Sequence, residues 1–331
     1  MARLGISPAR NKESNYAPAR VSVAVLTFIP NLEGYYRHRL DVLRVCLESI
    51  LKNTTPPFDL LVFDNGSCEP VVDYLREMQN AGNIDILLLS KQNMGIVGAL
   101  QVLFKAAPGE LIAYCDDDIL FYPGWLEAEL AVVEAYPNVG MVSGVPVRNG
   151  ARLSSLSNQA FIDSPPEGLQ IKDDIQIPDD WEVDWATSTG RDPEEHLEES
   201  KDQKVAHLTY NGVNAFAVAS HFQYMIPKHV MLQALPDQWT SSLMGQVVEL
   251  EESVDTEGFL RLSTTQRYVR HIGNVVSPAL AEEVKAFGID VQGETVSRRP
   301  KRHWILNIPR MRPLLEIIYG KLYDILMHVQ R

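Results

Sequence analysis

Three consecutive carboxylates, Asp116-Asp117-Asp118, close the mostly apolar run Leu111–Cys115 and precede Ile119-Leu-Phe-Tyr-Pro123-Gly124-Trp125. The run reads as a buried strand, so its end delivers three negative charges to one place. Adjacent carboxylates repel one another unless something positive sits among them. A divalent cation held by oxygen ligands is the economical solution. On extended backbone Asp116 and Asp118 lie on one side and can converge on the ion, while Asp117 points into the supporting shell. A solvated acidic turn is the plainer alternative, and the buried strand that aims the cluster argues against it.

Three further polar clusters have residue types suited to a nucleotide. Asp64-Asn-Gly66-Ser67 follows the apolar run Phe58–Phe63. Asp64 could accept from a base N–H, with Gly66 letting the base approach closely; an ordinary turn is the alternative. Asn93-Met-Gly95 opens a helix, and Gly95 there exposes backbone N–H groups toward phosphate, unless the segment is a plain helix cap. Thr27 lies near the end of Val21–Phe28. His271 ends a strand and precedes Ile272-Gly273-Asn274; a lone histidine on a strand is more often a core or surface residue than a ligand.

The elements that must position these residues alternate. Strands are expected at Val21–Phe28, Phe58–Phe63, Ile84–Leu89, Leu111–Cys115 and Val139–Ser143, with helices between them. That order implies a Rossmann-like, mostly parallel α/β sheet with helices on both faces, whose ligands bind beyond the carboxyl ends of the strands. The clusters at Asp64, Asn93 and Asp116 all fall at such ends, which makes one site of them. From Arg148 to about Lys204 periodicity fails and long loops with a short helix are expected. Order returns with Ala215–Ser220, the strand His221–Ile226, a helix over Gly245–Glu257, and short strands Leu260–Ser263 and Tyr268–His271. The organisation is then a loose leader (1–20), a donor half (21–145), an acceptor-side half (146–275) with an acidic insertion (151–204), and a C-terminal helical extension (276–331).

Composition narrows the class. The 331 residues are 45% hydrophobic and 22% charged, as in a globular protein with a sizeable core. A formal net charge of −13 argues against general nucleic-acid binding. The charge is unevenly spread: residues 151–204 hold 14 acidic and 5 basic side chains, and residues 297–331 hold 8 basic and 2 acidic. The basic tail, with Arg298, Arg299, Lys301 and Arg302 ahead of an amphipathic helical pattern from Pro313, fits docking on an anionic membrane surface or packing on the catalytic domain or a second subunit. Three scattered cysteines, no signal-peptide pattern in residues 1–20 and no long apolar run make a cytoplasmic location the expectation, peripheral at the membrane if the tail docks.

Taken in order, these motifs resemble the inverting nucleotide-sugar glycosyltransferases of family 2, which have the GT-A fold. Thr27 looks like part of that family's first nucleotide-binding strand. Asp64-Asn-Gly-Ser67 looks like its base-binding turn, Asn93-Met-Gly95 like its Asn-x-Gly segment, and Asp116-Asp117-Asp118 like its DxD. The resemblance covers roughly residues 21–275. It implies a sugar moved from a nucleotide-diphosphate sugar to an acceptor hydroxyl, in glycan, glycolipid or polysaccharide synthesis. The acceptor would be a carbohydrate or a lipid-linked molecule. It implies Mn²⁺ or Mg²⁺ on the diphosphate, Asp116 on ribose, metal or both, Asp117 among the donor-binding residues, Asp118 on metal, and His271 as a third metal or diphosphate contact.

One departure concerns the catalytic base. The family's Glu-Asp pair, counted back from Gly258, falls at Gln246-Val247, and neither residue can take a proton. Glu249, one turn on, is the first candidate and Asp237 a weaker one. Glu251 and Glu252 read as a solvated helix face. Three rivals are weighed. A GT-A-like nucleotidyltransferase wants a Gly-rich basic loop after the first strand, which Thr27-Phe-Ile-Pro-Asn lacks. A sugar-nucleotide-binding relative without turnover is opposed by the intact Asp triplet. An Asp-dependent phosphohydrolase would carry its Asp-x-Asp on the first strand rather than the fourth.

Overall fold

Seven buried residues in a row form β1 (Val21–Thr27), the strand from which the sheet grows in both directions. Aliphatic and β-branched side chains on both of its faces suit a strand covered by helices above and below. The computed structural model describes residues 5–7, 9–10, 12–148, 156–172, 175–236 and 247–295.

From β1 the chain runs through α1 (Arg39–Asn53), β2 (Asp59–Asp64), α2 (Glu69–Asn80), β3 (Ile86–Leu89), α3 (Gly95–Ala106) and β4 (Leu111–Asp116). Strand β2 pairs in parallel with one edge of β1, and β3 pairs with β2. Strand β4 pairs in parallel with the other edge of β1. Growth of the sheet therefore reverses direction between β1 and β4, the switch point at which such sheets open a crevice at their carboxyl ends. Register brings the polar ends level, with Thr27 opposite Asp64 and Leu26 opposite Asp116.

The rest of the chain extends the same sheet and adds a separate two-stranded ribbon. It comprises β5 (Ile119–Phe121), α4 (Trp125–Ala135), β6 (Val139–Ser143), α5 (Leu156–Asp163), β7 (Gln170–Lys172), α6 (Asp179–Ser188) and α7 (Pro193–Ser200). Then come β8 (His207–Tyr210), β9 (Val213–Phe216), β10 (Gln223–Pro227), α8 (Lys228–Ala234), α9 (Val247–Thr256), β11 (Leu260–Ser263), β12 (Val269–His271) and α10 (Pro278–Lys285). Ten strands lie in the order β3-β2-β1-β4-β10-β6-β11-β9-β8-β7. The pairings make β7, β9 and β10 run against the other strands, so the expected mostly parallel α/β sheet is found. One core cluster packs α1, α2 and α4 on the sheet, and another packs α3, α8 and α9 on it, so helices cover both faces as expected.

Two features depart from the sequence reading. Residues 151–204 carry α5, β7, α6 and α7 rather than long loops with one short helix. Their anchors are largely polar: Glu182 on α6 meets His196 on α7 at 2.6 Å, with both side chains buried, and Asp192 caps α7 by accepting from the Glu194 and Glu195 N–H groups. Apolar periodicity does not register helices held in this way. The other departure is β5, which pairs antiparallel with β12 as a separate two-stranded ribbon directly after the Asp triplet. Among the described residues no helix is long and apolar enough to cross a membrane. The basic tail 297–331 lies outside the described residues.

Candidate active site

The turn from β4 into β5 fixes the Asp triplet. Asp117 is buried and accepts from the Thr27 hydroxyl at 2.6 Å, so the switch point is closed by a bond between the ends of β1 and β4. The Arg39 guanidinium, in the first turn of α1, pairs with Asp117 through one nitrogen and with Asp118 Oδ2 through the other at 2.7 Å. It also reaches Asn274 Oδ1 at 3.1 Å. Asp116 turns toward the Tyr114 hydroxyl, which donates at 2.6 Å. A positive group therefore does sit among the carboxylates, and it is in part an arginine.

This arrangement splits the acidity of the three residues. Burial, and then the neighbouring Asp118, pushes Asp116 up to about 8. Burial also raises Asp117, although Arg39 opposes it. Burial works against ionisation of Asp118 as well, but His271 and Arg39 outweigh it and hold Asp118 below the ordinary carboxylate range. Asp118 is the member of the triplet that carries its charge most readily.

His271 arrives by way of the ribbon, whose register sets it opposite Ile119. Its Nε2 lies 3.4 Å from Asp118 Oδ2, and its Nδ1 faces the Ser188 hydroxyl at 2.8 Å. Ser188 ends α6, so the acidic segment supplies the brace for this histidine. Asp184 on the same helix bridges Arg267 at 2.6 Å and Arg270 at 2.9 Å, tying α6 to β12. The following Gly273 has φ +72, and a Cβ there would meet the Ser188 carbonyl oxygen at 2.5 Å, which leaves glycine as the residue that fits.

The other expected donor-side residues cluster beside the switch point. Asp64, fully buried, closes its own turn by accepting from Gly66 N–H at 3.3 Å and Ser67 N–H at 3.2 Å, and burial raises its pKa. Gly66, at φ +93, is pressed against the loop after β3: a Cβ would stand 2.8 Å from Gln92 C and 2.9 Å from Asn93 N. The close approach that requires this glycine is thus that of a second loop, where the sequence reading had placed a base. Asn93 accepts from Gly95 N–H at 2.8 Å and from Asn65 at 3.0 Å, so it satisfies the first N–H of α3 from just ahead of the Met94 cap and ties the two loops together.

The candidate bases separate. Glu249 stands on the exposed side of α9, and Asp237 lies outside the described residues. Glu251, read from sequence as a solvated residue, is instead 3% exposed. Its carboxylate is held by Arg261 of β11 and lies 3.5 Å from Nδ1 of His221, just ahead of β10. Reading one turn on from Gln246 to Glu249 overlooked the opposite face, where a buried arginine on the next strand draws Glu251 inward. Arg39 was also missed. A cation in the first turn of a helix opposes the helix dipole and needs an anion nearby, and that was the available signal.

The donor set fits an ion held in part by the protein. Oδ1 of Asp118 is buried without a hydrogen-bond partner, and an orphaned carboxylate oxygen is an atom that a cation would satisfy. The expected cage of Asp116, Asp118 and His271 is not assembled, however. Among the described residues no three histidine, cysteine, aspartate or glutamate side chains converge to hold an ion, because Tyr114 engages Asp116 and Arg39 engages Asp118. Asp118 with His271, and further positions left to phosphate oxygens, is the arrangement these residues fit.

Residues 35–189 match the model of glycosyl transferase family 2. An uncharacterized glycosyltransferase of Nostoc is 26% identical over 130 residues, covering 39% of this chain and 38% of its own. A glucosyl-dolichyl phosphate glucuronosyltransferase of Haloferax volcanii is 28% identical over 130 residues, with the same two coverages, 39% and 38%. The chain thus spans less than two fifths of the length of either relative. Among solved structures, a mannosyltransferase from Pyrobaculum calidifontis in complex with GDP-Man and Mn²⁺ is 22% identical, with a TM-score of 0.35 over 45% of this chain and 44% of that one. TarS 1–349 of S. aureus is 12% identical, with a TM-score of 0.45 over 76% of this chain and 60% of that one.

Proposed function

From the match of residues 35–189 to the model of glycosyl transferase family 2, we propose an enzyme that moves a sugar from a nucleotide-diphosphate sugar to an acceptor hydroxyl, with inversion at the anomeric carbon. The observation that carries this reading is Asp118 at the switch point. Its unpartnered Oδ1 and the His271 nitrogen 3.4 Å from its other oxygen stand where the ends of β1 and β4 open the sheet. The nucleotide lies along the ends of β1 and β2, over Thr27 and Asp64, with the diphosphate toward Asp118. A bound Mn²⁺ or Mg²⁺ would neutralise the charge that develops on the departing diphosphate. Asp118 and His271 would hold the metal, and Asp116 would face ribose or metal. Arg39 and Thr27 fix Asp117 behind them, so the triplet keeps its shape as charge moves. Strand β12 and helix α6 border the acceptor side.

The test is a donor panel. UDP-, GDP- and dTDP-sugars are incubated with the protein and Mn²⁺, Mg²⁺ or chelator, and released nucleoside diphosphate is measured. Consumption of one donor class, dependent on metal, is expected. No release from any donor in the presence of metal contradicts the reading.

A further inference from the structure

Gln246-Val247 offers no base, Glu249 faces solvent and Asp237 lies outside the described residues, so among the described residues the reaction proposed above still needs a group to take the acceptor's proton. We propose that His221, oriented by Glu251, is that general base; the inference rests on the glycosyl-transfer reading. His221 lies two residues ahead of β10, and the intervening Phe222 is tied to the site twice. The Phe222 carbonyl accepts from Asp116 N–H at 2.9 Å, and its ring lies 5.5 Å from the His271 ring. Residue 221 therefore leaves the sheet at the rim of the Asp triplet.

The two side chains differ as a base and its orienting partner should. The His221 side chain is 55% exposed and that of Glu251 is 4% exposed. The Arg261 guanidinium, itself 2% exposed, fixes Glu251 from the far side. A carboxylate 3.5 Å from Nδ1 favours the tautomer with its proton on Nδ1 and leaves the Nε2 lone pair facing outward. Three charged or titratable groups act on the ring: Glu251 from α9, Arg261 from β11 and His271 from β12. Desolvation is the largest influence and lowers the pKa, Glu251 raises it, and His271 and Arg261 lower it; the net direction is down, which keeps the imidazole neutral near pH 7.

In the step, Nε2 accepts the hydroxyl proton as the acceptor oxygen bonds to the anomeric carbon. The bond from that carbon to the diphosphate oxygen breaks, and its electron pair leaves with the diphosphate. The imidazolium faces Glu251 until water takes the proton. A bracing role alone, holding α9 to β11, would account for Glu251 and Arg261 but gives no part to an exposed histidine.

The experiment compares wild type with His221→Gln and Glu251→Gln. It uses the nucleotide sugar that wild type consumes and calorimetric binding of the matching nucleoside diphosphate with Mn²⁺. Expected for His221→Gln is diphosphate affinity within about twofold of wild type, with kcat lower by about 100-fold. The acid limb of the kcat–pH profile, which in wild type should fall below the ordinary imidazole range, should vanish from the residual activity. Glu251→Gln should lower kcat by about tenfold and move the limb to lower pH, since the imidazolium loses its carboxylate. Because Glu251 is buried, the exposed His221 carries the decision if that second variant fails to fold. Wild-type kcat in His221→Gln, or a reduced kcat with the limb unchanged, overturns the proposal alone. A wild-type protein that consumes no donor overturns the glycosyl-transfer reading and the proposal with it.

Discussion

Arg39 supplies part of the positive charge that three adjacent aspartates require. Its side chain is 10% exposed, and it spans Asp117, Asp118 and the Asn274 side chain, so it joins α1 to the β4–β5 turn and to the segment after β12. The need for a cation was legible in the residues themselves, because adjacent carboxylates at a strand end have few other solutions. Its source was not, since nothing in the spacing of Arg39 and Asp117 along the chain shows that α1 begins beside the end of β4. Removing one partner from a buried ion pair leaves the others uncompensated, at a cost of about 3–5 kcal/mol. Arg39→Met should therefore unfold at a clearly lower denaturant concentration than wild type. A loss of less than about 1 kcal/mol would mean that the contact is not formed in solution.

Helices and strands of the first half follow from their sequence, because the strands are apolar runs and helices such as α2 bury one face, here through Val71 and Leu75. Asp64, Asn93 and Asp116 were correctly assigned to strand ends for the same reason. The second half is held by buried polar links that no periodicity marks. Glu129 on α4 is one: it is fully buried, accepts from Gln223 of β10 at 2.7 Å, and through Gln223 is linked to Gly144 N–H. Burial raises its pKa well above the ordinary carboxylate value, against the Gln223 hydrogen bond, and so favours the protonated acid in the folded protein. Unfolding releases that proton at any pH above the unfolded pKa of about 4.3, so its stabilising contribution is full below that value and falls as pH rises toward the folded pKa. Glu129→Gln removes this dependence while keeping an oxygen for Gln223. Thermal unfolding should then show the variant close to wild type near pH 5 and more stable than wild type near pH 8. An unchanged difference between the two pH values would place an ionised Glu129 in the core.

Across the whole molecule, one sheet serves both sides of the crevice. The parallel strands set Thr27, Asp64 and Asp116 level, and β10, inserted against the common direction between β4 and β6, brings Phe222 against Asp116. His271 comes from the far end of the chain through a separate ribbon and meets Asp118 at 3.4 Å. The approach of His271 was expected from the family's order of motifs; the ribbon and α6 that brace it were hidden in a segment whose acidic composition reads as loop. The most direct test of the account is calorimetric titration of UDP, GDP and dTDP into wild type and Asp118→Ala, each with Mn²⁺ and with chelator. One diphosphate should bind wild type with Mn²⁺ and much more weakly with chelator, and Asp118→Ala should lose that metal dependence while remaining folded. Wild-type metal dependence in Asp118→Ala, or no binding of any of the three diphosphates to wild type with Mn²⁺, would contradict the account.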